Sequence, residues 1–196
     1  MKRTFDIFSS LIGLIILSPV LIIVSLIIKF HDNGPVFYMA PRVGKYGKMF
    51  KMFKFRSMVI NADKIGASST TSSDVRITPI GKKLRKYKLD ELPQLINVFI
   101  GEMSIVGPRP EVKYFTDMYT EEEKVILTVK PGITDWASVW NSDEGKILEG
   151  AEDPDKAYME LIRPDKIRLQ LKYVREKSFF NDIKIIFLTL RAVFIK

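Results

Sequence analysis

The segment from Phe5 to Ile28, FDIFSSLIGLIILSPVLIIVSLII, constrains this chain more than any other feature. No charged residue occurs from Leu11 to Ile28. Those 18 residues, at about 1.5 Å each, reach roughly 27 Å as a helix, close to the hydrocarbon thickness of a bilayer. A cleaved secretory signal is disfavoured, because no small-residue cleavage site follows and the segment runs directly into Lys29-Phe30-His31. Lys2 and Arg3 precede the segment and Lys29 follows it, so charge asymmetry assigns no orientation. Two topologies remain: a spanning helix, or a re-entrant helix that enters and leaves by one face. Ser18-Pro19 sits at the middle. Proline removes a backbone hydrogen bond and crowds the preceding turn, which predicts a kink or break there, and the Ser18 hydroxyl can serve the carbonyl set free. Spanning helices carry kinks too, so the pattern leaves both topologies open.

The rest of the 196-residue chain suits one compact domain. The absence of cysteine excludes a disulfide scaffold, a thiol nucleophile and thiolate metal sites, and one histidine, His31, excludes a multi-histidine site. Any metal is expected to be a hard cation held by carboxylates and phosphates. Net charge is +8 but unevenly spread. Residues 29–88 carry fourteen Lys/Arg against three Asp, whereas residues 89–196 carry fifteen Lys/Arg against nineteen Asp/Glu. The first block predicts a basic surface that attracts nucleic acid, anionic lipid or a phosphorylated substrate, and composition does not choose among them.

The turn cluster His31 to Pro35 closes the apolar segment. Val36-Phe37-Tyr38 reads as a short strand, Pro41 to Gly47 as a basic loop, and Lys48 to Met58 as a half-exposed strand, together a hairpin. Ala67 to Asp74, rich in Ser and Thr, reads as a mobile surface loop. A short helix is expected over Ile80 to Tyr87. Leu92, Leu95, Ile96 and Phe99 recur at helical spacing and predict a helix over Glu91 to Ile100, N-capped by Asp90 and ended by Gly101. Thr120 to Glu123 has capping-box character. Trp136 to Val139 reads as a strand, and Asn141 to Asp155 as acidic and irregular. A helix is expected from Pro164 to about Lys177. The last helix aligns Ile183, Ile186, Phe187, Leu190, Val193 and Phe194, with Lys184, Arg191 and Lys196 off the stripe. That stripe faces either the core or a membrane interface.

Asp90-Glu91 leads the candidates for chemistry. At a helix N-terminus a carboxylate stays ionised and phosphate is favoured nearby. Such a carboxylate can attack a phosphoryl centre, and adjacent carboxylates can share a divalent cation with substrate phosphates. Read locally, the pair fits a plain cap better, because acidic residues at helix starts are routine. Gly107-Pro108-Arg109-Pro110 fixes the backbone around one guanidinium, which suits a phosphate, although a surface turn fits the same residues. Arg85, among Lys82, Lys83, Lys86 and Lys88, could bind diphosphate or an anionic membrane surface. Arg42, Lys54 and Arg56 form a basic group on the hairpin that a solvated face also explains. Trp136 and Trp140 read as core or interface aromatics, and His31 as an interfacial residue.

In order, the chain shows an apolar segment broken at Ser18-Pro19, then GPVFY (34–38), RVGKYGKMF (42–50), KFRSM (54–58), LDELPQLINVFIGEMSIVGPRP (89–110) and KPGIT (130–134). This set resembles the bacterial sugar transferases, the monotopic phosphoglycosyl transferases that start glycoconjugate assembly, over nearly the whole chain. It corresponds to their minimal catalytic form, with no polytopic domain expected ahead of it. The resemblance implies a helix-rich α+β fold. A re-entrant helix broken at Ser18-Pro19 occupies residues 1–30 and a catalytic domain 31–196, with a small hairpin and interfacial helices on the cytoplasmic face of the inner membrane. It implies that Asp90 attacks the sugar-bearing phosphate of a UDP-sugar, releases UMP and holds the phosphosugar until polyprenyl phosphate takes it. It gives Glu91 a magnesium-linked role beside Asp90. Phosphate or nucleotide contacts fall to Arg85 and to Pro108, Arg109 and Pro110, with Lys54 and Arg56 as further substrate contacts, and membrane contacts to Lys2, Arg3, Ser18 and Pro19. Mg2+ is the expected cofactor. UDP-sugar, polyprenyl phosphate and membrane lipid are the expected partners, a homodimer is left open, and nucleic acid is not expected. Many members read GITGWAQVNGR where this chain reads GITDWASVWNSDEGKILEG (132–150), so the sugar is not assigned. The rival readings are one-step transfer with Asp90 only a metal ligand, and a membrane-anchored recruiter of glycan enzymes.

Overall fold

The computed structural model describes residues 1–141 and 143–194. Helix α1 (Lys2–Asp32) is the longest element, and much of its middle is exposed, including Ile12, Ile15, Ile16, Ile22 and Ile23. It is long and apolar enough to cross a membrane. The helix runs on through Ser18-Pro19, where the sequence predicts a break. The Ser18 hydroxyl donates to the Ile15 carbonyl at 2.7 Å. That is the carbonyl which the missing N–H of Pro19 would otherwise leave unserved, so the hydroxyl replaces the lost bond.

Both halves of α1 dock on the same body. Near the start, Lys2 Nζ donates to the Val106 carbonyl at 3.0 Å and pairs with Asp182. Arg3 donates to the Val98 and Phe99 carbonyls, and buried Asp6 accepts from Ser104 Oγ and Ile105 N–H. Near the end, Val24 and Ile28 pack with Phe55 and Leu84, and Asp32 accepts a forked pair of bonds from Arg56.

Strands β1 (Phe37–Val43) and β2 (Met49–Phe55) form the expected antiparallel hairpin, with Tyr38 opposite Lys54. Helix α2 (Pro79–Lys86) begins at Thr78, whose side chain caps Gly81 N–H. A Cβ on Gly81 would stand 1.8 Å from the Ser57 carbonyl oxygen, so only glycine lets α2 lie this close to the residues after β2. A 3-10 turn (Leu89–Glu91) follows, then helix α3 (Gln94–Ile100). Asp90 therefore lies inside a separate tight turn rather than at the N-cap of the next helix. Pro93 stands at that cap, and the left-handed Gly101 ends the helix. Buried Asn97 stitches α3 to β2, accepting from Phe53 N–H at 2.8 Å and donating to the Lys51 carbonyl at 2.8 Å.

Strand β3 (Ser104–Val106) pairs in parallel with β4 (Gly132–Thr134). Between them lie the short helix α4 (Lys113–Thr116) and a 3-10 helix (Glu123–Thr128) opened by a reciprocal Thr120–Glu123 capping box. Trp136 to Val139 is helical, not a strand: α5 (Trp136–Trp140) forms because the Asp135 carboxylate caps Ser138 N–H at 2.7 Å. The acidic stretch holds two short helices, α6 (Glu144–Ile147) and α7 (Pro154–Ala157). The Ser/Thr-rich loop lies against it, through Ser72 N–H to the Gly145 carbonyl and Ser69 N–H to Asp155. A π turn (Tyr158–Ile162) leads into α8 (Arg163–Glu176), and α9 (Phe179–Phe194) closes the described chain. On α9 the buried residues are Asp182 and Ile185, while Ile183, Phe187 and Leu190 are exposed, so this part of the predicted stripe faces outward. Lys196, and the side chains of Val193 and Phe194, lie outside the described residues.

Candidate active site

Asp90 is buried at the tight turn between α2 and α3. Burial pushes its carboxyl above the usual aspartate value, and the neighbouring Glu91 charge adds to this, while Lys54, Arg85 and Lys88 pull it down. Among the described residues Asp90 takes part in no ion pair within 4 Å, whereas Glu91 takes part in two. Lys54 Nζ donates to Glu91 Oε1 at 2.8 Å, and the Arg109 guanidinium grips both Glu91 oxygens, one at 3.0 Å. Burial alone would raise Glu91, but the charges of Arg109 and Lys54 and their hydrogen bonds hold it well below the usual carboxylate range.

Each partner is brought here by the local fold. The Asn97 stitch sets α3 on β2, which carries Lys54 to Glu91. The Gly81 contact sets α2 against Ser57, whose hydroxyl accepts from Arg85 Nε at 3.0 Å. The Pro108-Arg109-Pro110 loop continues from β3, with Gly107 N–H donating to the Thr134 carbonyl and Gly132 N–H to the Pro108 carbonyl. A Cβ on Gly107 would stand 2.4 Å from the Lys130 carbonyl oxygen, so the close approach of the two strand ends requires glycine. Asp135 supports the loop from beneath: it is fully buried and accepts from Arg109 N–H at 3.2 Å. Arg42 adds charge from the hairpin, acting on Glu111 and on Glu91. A small open cleft lies beside the loop, lined by Val43, Pro108, Arg109, Tyr119, Ile126 and Pro131 among others.

Of the residues singled out in the sequence, Asp90, Glu91, Lys54, Arg85 and Arg109 come together. Arg56 does not join them: nearly buried, it binds Asp32 and the Pro35 carbonyl at the far end of α1. Lys2 and Arg3 bind the body by side-chain hydrogen bonds. Trp136 is partly buried, with the ammonium groups of Lys172 and Lys184 each 5.7 Å from its ring, and Trp140 is half-exposed. Sequence reasoning missed Asp135 as a support for Arg109. Asp135 is a residue type favoured at helix N-caps, which signals its cap on Ser138 N–H, but its contact with Arg109 N–H, 26 residues away, has no local signal.

The sequence profile of the bacterial sugar transferases matches residues 1–196. This chain belongs to that family. It is 35% identical over 195 residues to a UDP-N-acetylgalactosamine-undecaprenyl-phosphate N-acetylgalactosaminephosphotransferase of Aeromonas hydrophila, covering 98% of this chain and 43% of the relative. It is 40% identical over 201 residues to a UDP-glucose:undecaprenyl-phosphate glucose-1-phosphate transferase of Escherichia coli, covering 100% of this chain and 40% of the relative. It is 33% identical over 207 residues to the exopolysaccharide production protein ExoY of Rhizobium meliloti, covering 98% of this chain and 84% of the relative. The chain thus spans less than half the length of the first two of these sugar transferases.

Proposed function

We propose that this sugar transferase moves a phosphosugar from a UDP-sugar to polyprenyl phosphate, forming polyprenyl-diphosphosugar and UMP, at the cytoplasmic face of a bacterial inner membrane. The observation that carries the reading is the pairing at one turn of two differently treated carboxylates. Glu91 is clamped by Arg109 and Lys54, while Asp90 is buried and outside those pairs. A carboxylate stripped of water and left unpaired is suited to attack, and a clamped one to hold charge in place.

In the first step an Asp90 oxygen attacks the sugar-bearing phosphorus and the bond to the UMP oxygen breaks. UMP leaves with that electron pair, and an acyl phosphate joins Asp90 to the sugar. In the second step an oxygen of polyprenyl phosphate attacks the same phosphorus and the Asp90 carboxylate is released. Arg109, Arg85 and Lys54 supply positive charge as negative charge builds on the departing phosphate. Mg2+ takes one or two carboxylates with the rest from phosphate and water, so Asp90, outside the clamp, would hold it, with Glu91 contributing only lone pairs that Arg109 and Lys54 leave open. When bound, it would neutralise diphosphate charge.

The docking of both ends of α1 on one body supports a re-entrant topology. A helix of 31 residues is roughly 46 Å long when straight. Lys2 and Arg3 near one end and Asp32 at the other are all bonded to the body, which suits both ends to one side of the membrane with the exposed apolar middle in lipid. The exposed stripe Ile183, Phe187 and Leu190, flanked by Lys184, suits α9 to the interface.

The test is UMP release by the purified protein with undecaprenyl phosphate and a panel of UDP-sugars. Asp90→Asn is expected to abolish release while membrane binding persists, and retained activity would overturn the reading. Cysteines placed beside Met1 and Lys196 are expected to label from the same side of the membrane.

A further inference from the structure

We propose that Glu144 reads the donor sugar, with Lys166 as the residue that positions it. This inference rests on the transferase reading above. Lys166 is almost fully buried, yet it is an ammonium group held between two carboxylates, Glu111 at 2.6 Å and Glu144 at 2.9 Å. Tyr158 OH donates to Glu111 at 2.7 Å, which completes the inner side of the network. Glu111 directly follows Pro110, so the network is anchored in the loop that presents Arg109. A buried ammonium is expensive to desolvate and is retained only where its partners are well placed, so the strut fixes both carboxylates firmly.

The two ends of the strut differ. Glu111 is buried with its partners, with a side chain 12% exposed, whereas that of Glu144 is 36% exposed. The Lys166 bond is made to Glu144 Oε1, and through Lys166 and Glu111 it ties Glu144 to the loop that carries Arg109. Its backbone is pinned as well: Ser72 N–H donates to the Gly145 carbonyl at 3.1 Å. A carboxylate beside a diphosphate site repels phosphate. It suits the uncharged, hydroxyl-bearing part of the donor, because a carboxylate accepts hydrogen bonds from hydroxyl groups in fixed directions. The relatives point to a need for such a reader. Of the relatives described above, one is named for N-acetylgalactosamine and another for glucose. A site that hydrogen-bonds a substrate hydroxyl discriminates sharply against a sugar that places the group elsewhere.

The experiment measures kcat/KM for UMP release from UDP-glucose, UDP-galactose, UDP-N-acetylglucosamine and UDP-N-acetylgalactosamine, using the full chain with undecaprenyl phosphate. Wild type, Glu144→Gln, Glu144→Ala and Lys166→Arg are compared, and inhibition by UMP reports an intact nucleotide site. Loss of a hydrogen bond to a charged acceptor is expected to compress the ratio between the best donor and its epimer by about tenfold or more in Glu144→Ala. Glu144→Gln should give a smaller change, and UMP inhibition should stay within about twofold of wild type, since no lost contact involves the nucleotide. Lys166→Arg, which keeps the charge, should retain more discrimination than Glu144→Ala. An unchanged donor ratio in Glu144→Ala, or an equal loss for all four donors, overturns the proposal while leaving the transferase reading intact. A wild-type protein that releases UMP from none of them overturns both.

Discussion

Glu91→Gln removes the charge at the centre of the cluster while keeping its shape. In the native protein the Glu91 carboxylate accepts from Lys54 at 2.8 Å and from Arg109 on both oxygens, and the side chains of Glu91, Lys54 and Arg109 are 20%, 20% and 26% exposed. A glutamine offers one acceptor oxygen to two cations and presents an NH2 to one of them. Hydrogen bonds to charged groups contribute about 1.5–3 kcal/mol each and are not additive, so a net loss of about 2–4 kcal/mol is expected. At about 2–4 °C per kcal/mol for a chain of this size, Tm should fall by roughly 4–16 °C. The assay is thermal unfolding in detergent followed by fluorescence, with circular dichroism confirming native helix content at 25 °C. The pH dependence has a definite sign. Glu91 is held well below its ordinary value of 4.5 in the folded protein, so its contribution is complete above that value and is lost only as pH falls toward the depressed one. The Tm gap between wild type and Glu91→Gln should therefore be constant from about pH 6 to 8 and narrow below the ordinary value of 4.5. A variant with the Tm of wild type, or a gap that widens on acidification, would refute the view that Glu91 is the clamped member of the pair.

Other perturbations test the surrounding frame. Gly81→Ala should push α2 away from Ser57, lower stability by about 1–3 kcal/mol and raise the donor KM through displaced Arg85, read by urea unfolding and initial rates. Asp135→Ala should destabilise by a similar 1–3 kcal/mol, because it leaves buried partners at Arg109 N–H and Ser138 N–H unserved, and thermal unfolding reads it directly. The pKa of Asp90 is raised, so the acid limb of UMP release should lie above the ordinary aspartate range, activity falling as pH drops through it and the carboxylate protonates. A limb at the ordinary value would contradict the burial argument.

Much of the frame was legible from period and punctuation. The hairpin follows from alternation, the short helix expected over Ile80 to Tyr87 matches α2 to within a residue at each end, and α3 follows from helical spacing ended by Gly101. The misses have particular causes. Asp90 was expected to cap the next helix, but Pro93 starts that helix and leaves residues 89–91 as their own turn. Trp136 to Val139 has aromatic and β-branched content that mimics a strand, and the cap from Asp135 overrides it. Lys54 and Arg56 would share a face if β2 continued, but the strand ends at Phe55, and Arg56 turns to Asp32 instead. The α9 stripe was visible, but the choice between its two faces was not. That choice depends on Tyr173 OH and Lys2, more than a hundred residues apart, both bonding Asp182. Candidate chemistry was the least legible part, since Asp90 read locally is a helix cap. Lys54, distant in sequence, acts on Asp90, and with Arg109 it clamps the adjacent Glu91, which gives Asp90 a different setting.

Covalent capture of the phosphosugar on Asp90 is open to a direct trapping experiment. The protein is mixed with a labelled UDP-sugar and no lipid acceptor, quenched, digested and analysed by mass spectrometry. The account predicts a burst of UMP stoichiometric with enzyme, a phosphosugar adduct on the peptide containing Asp90, and its discharge on adding polyprenyl phosphate. Turnover with acceptor but no burst and no adduct without it would contradict the account and favour direct one-step transfer.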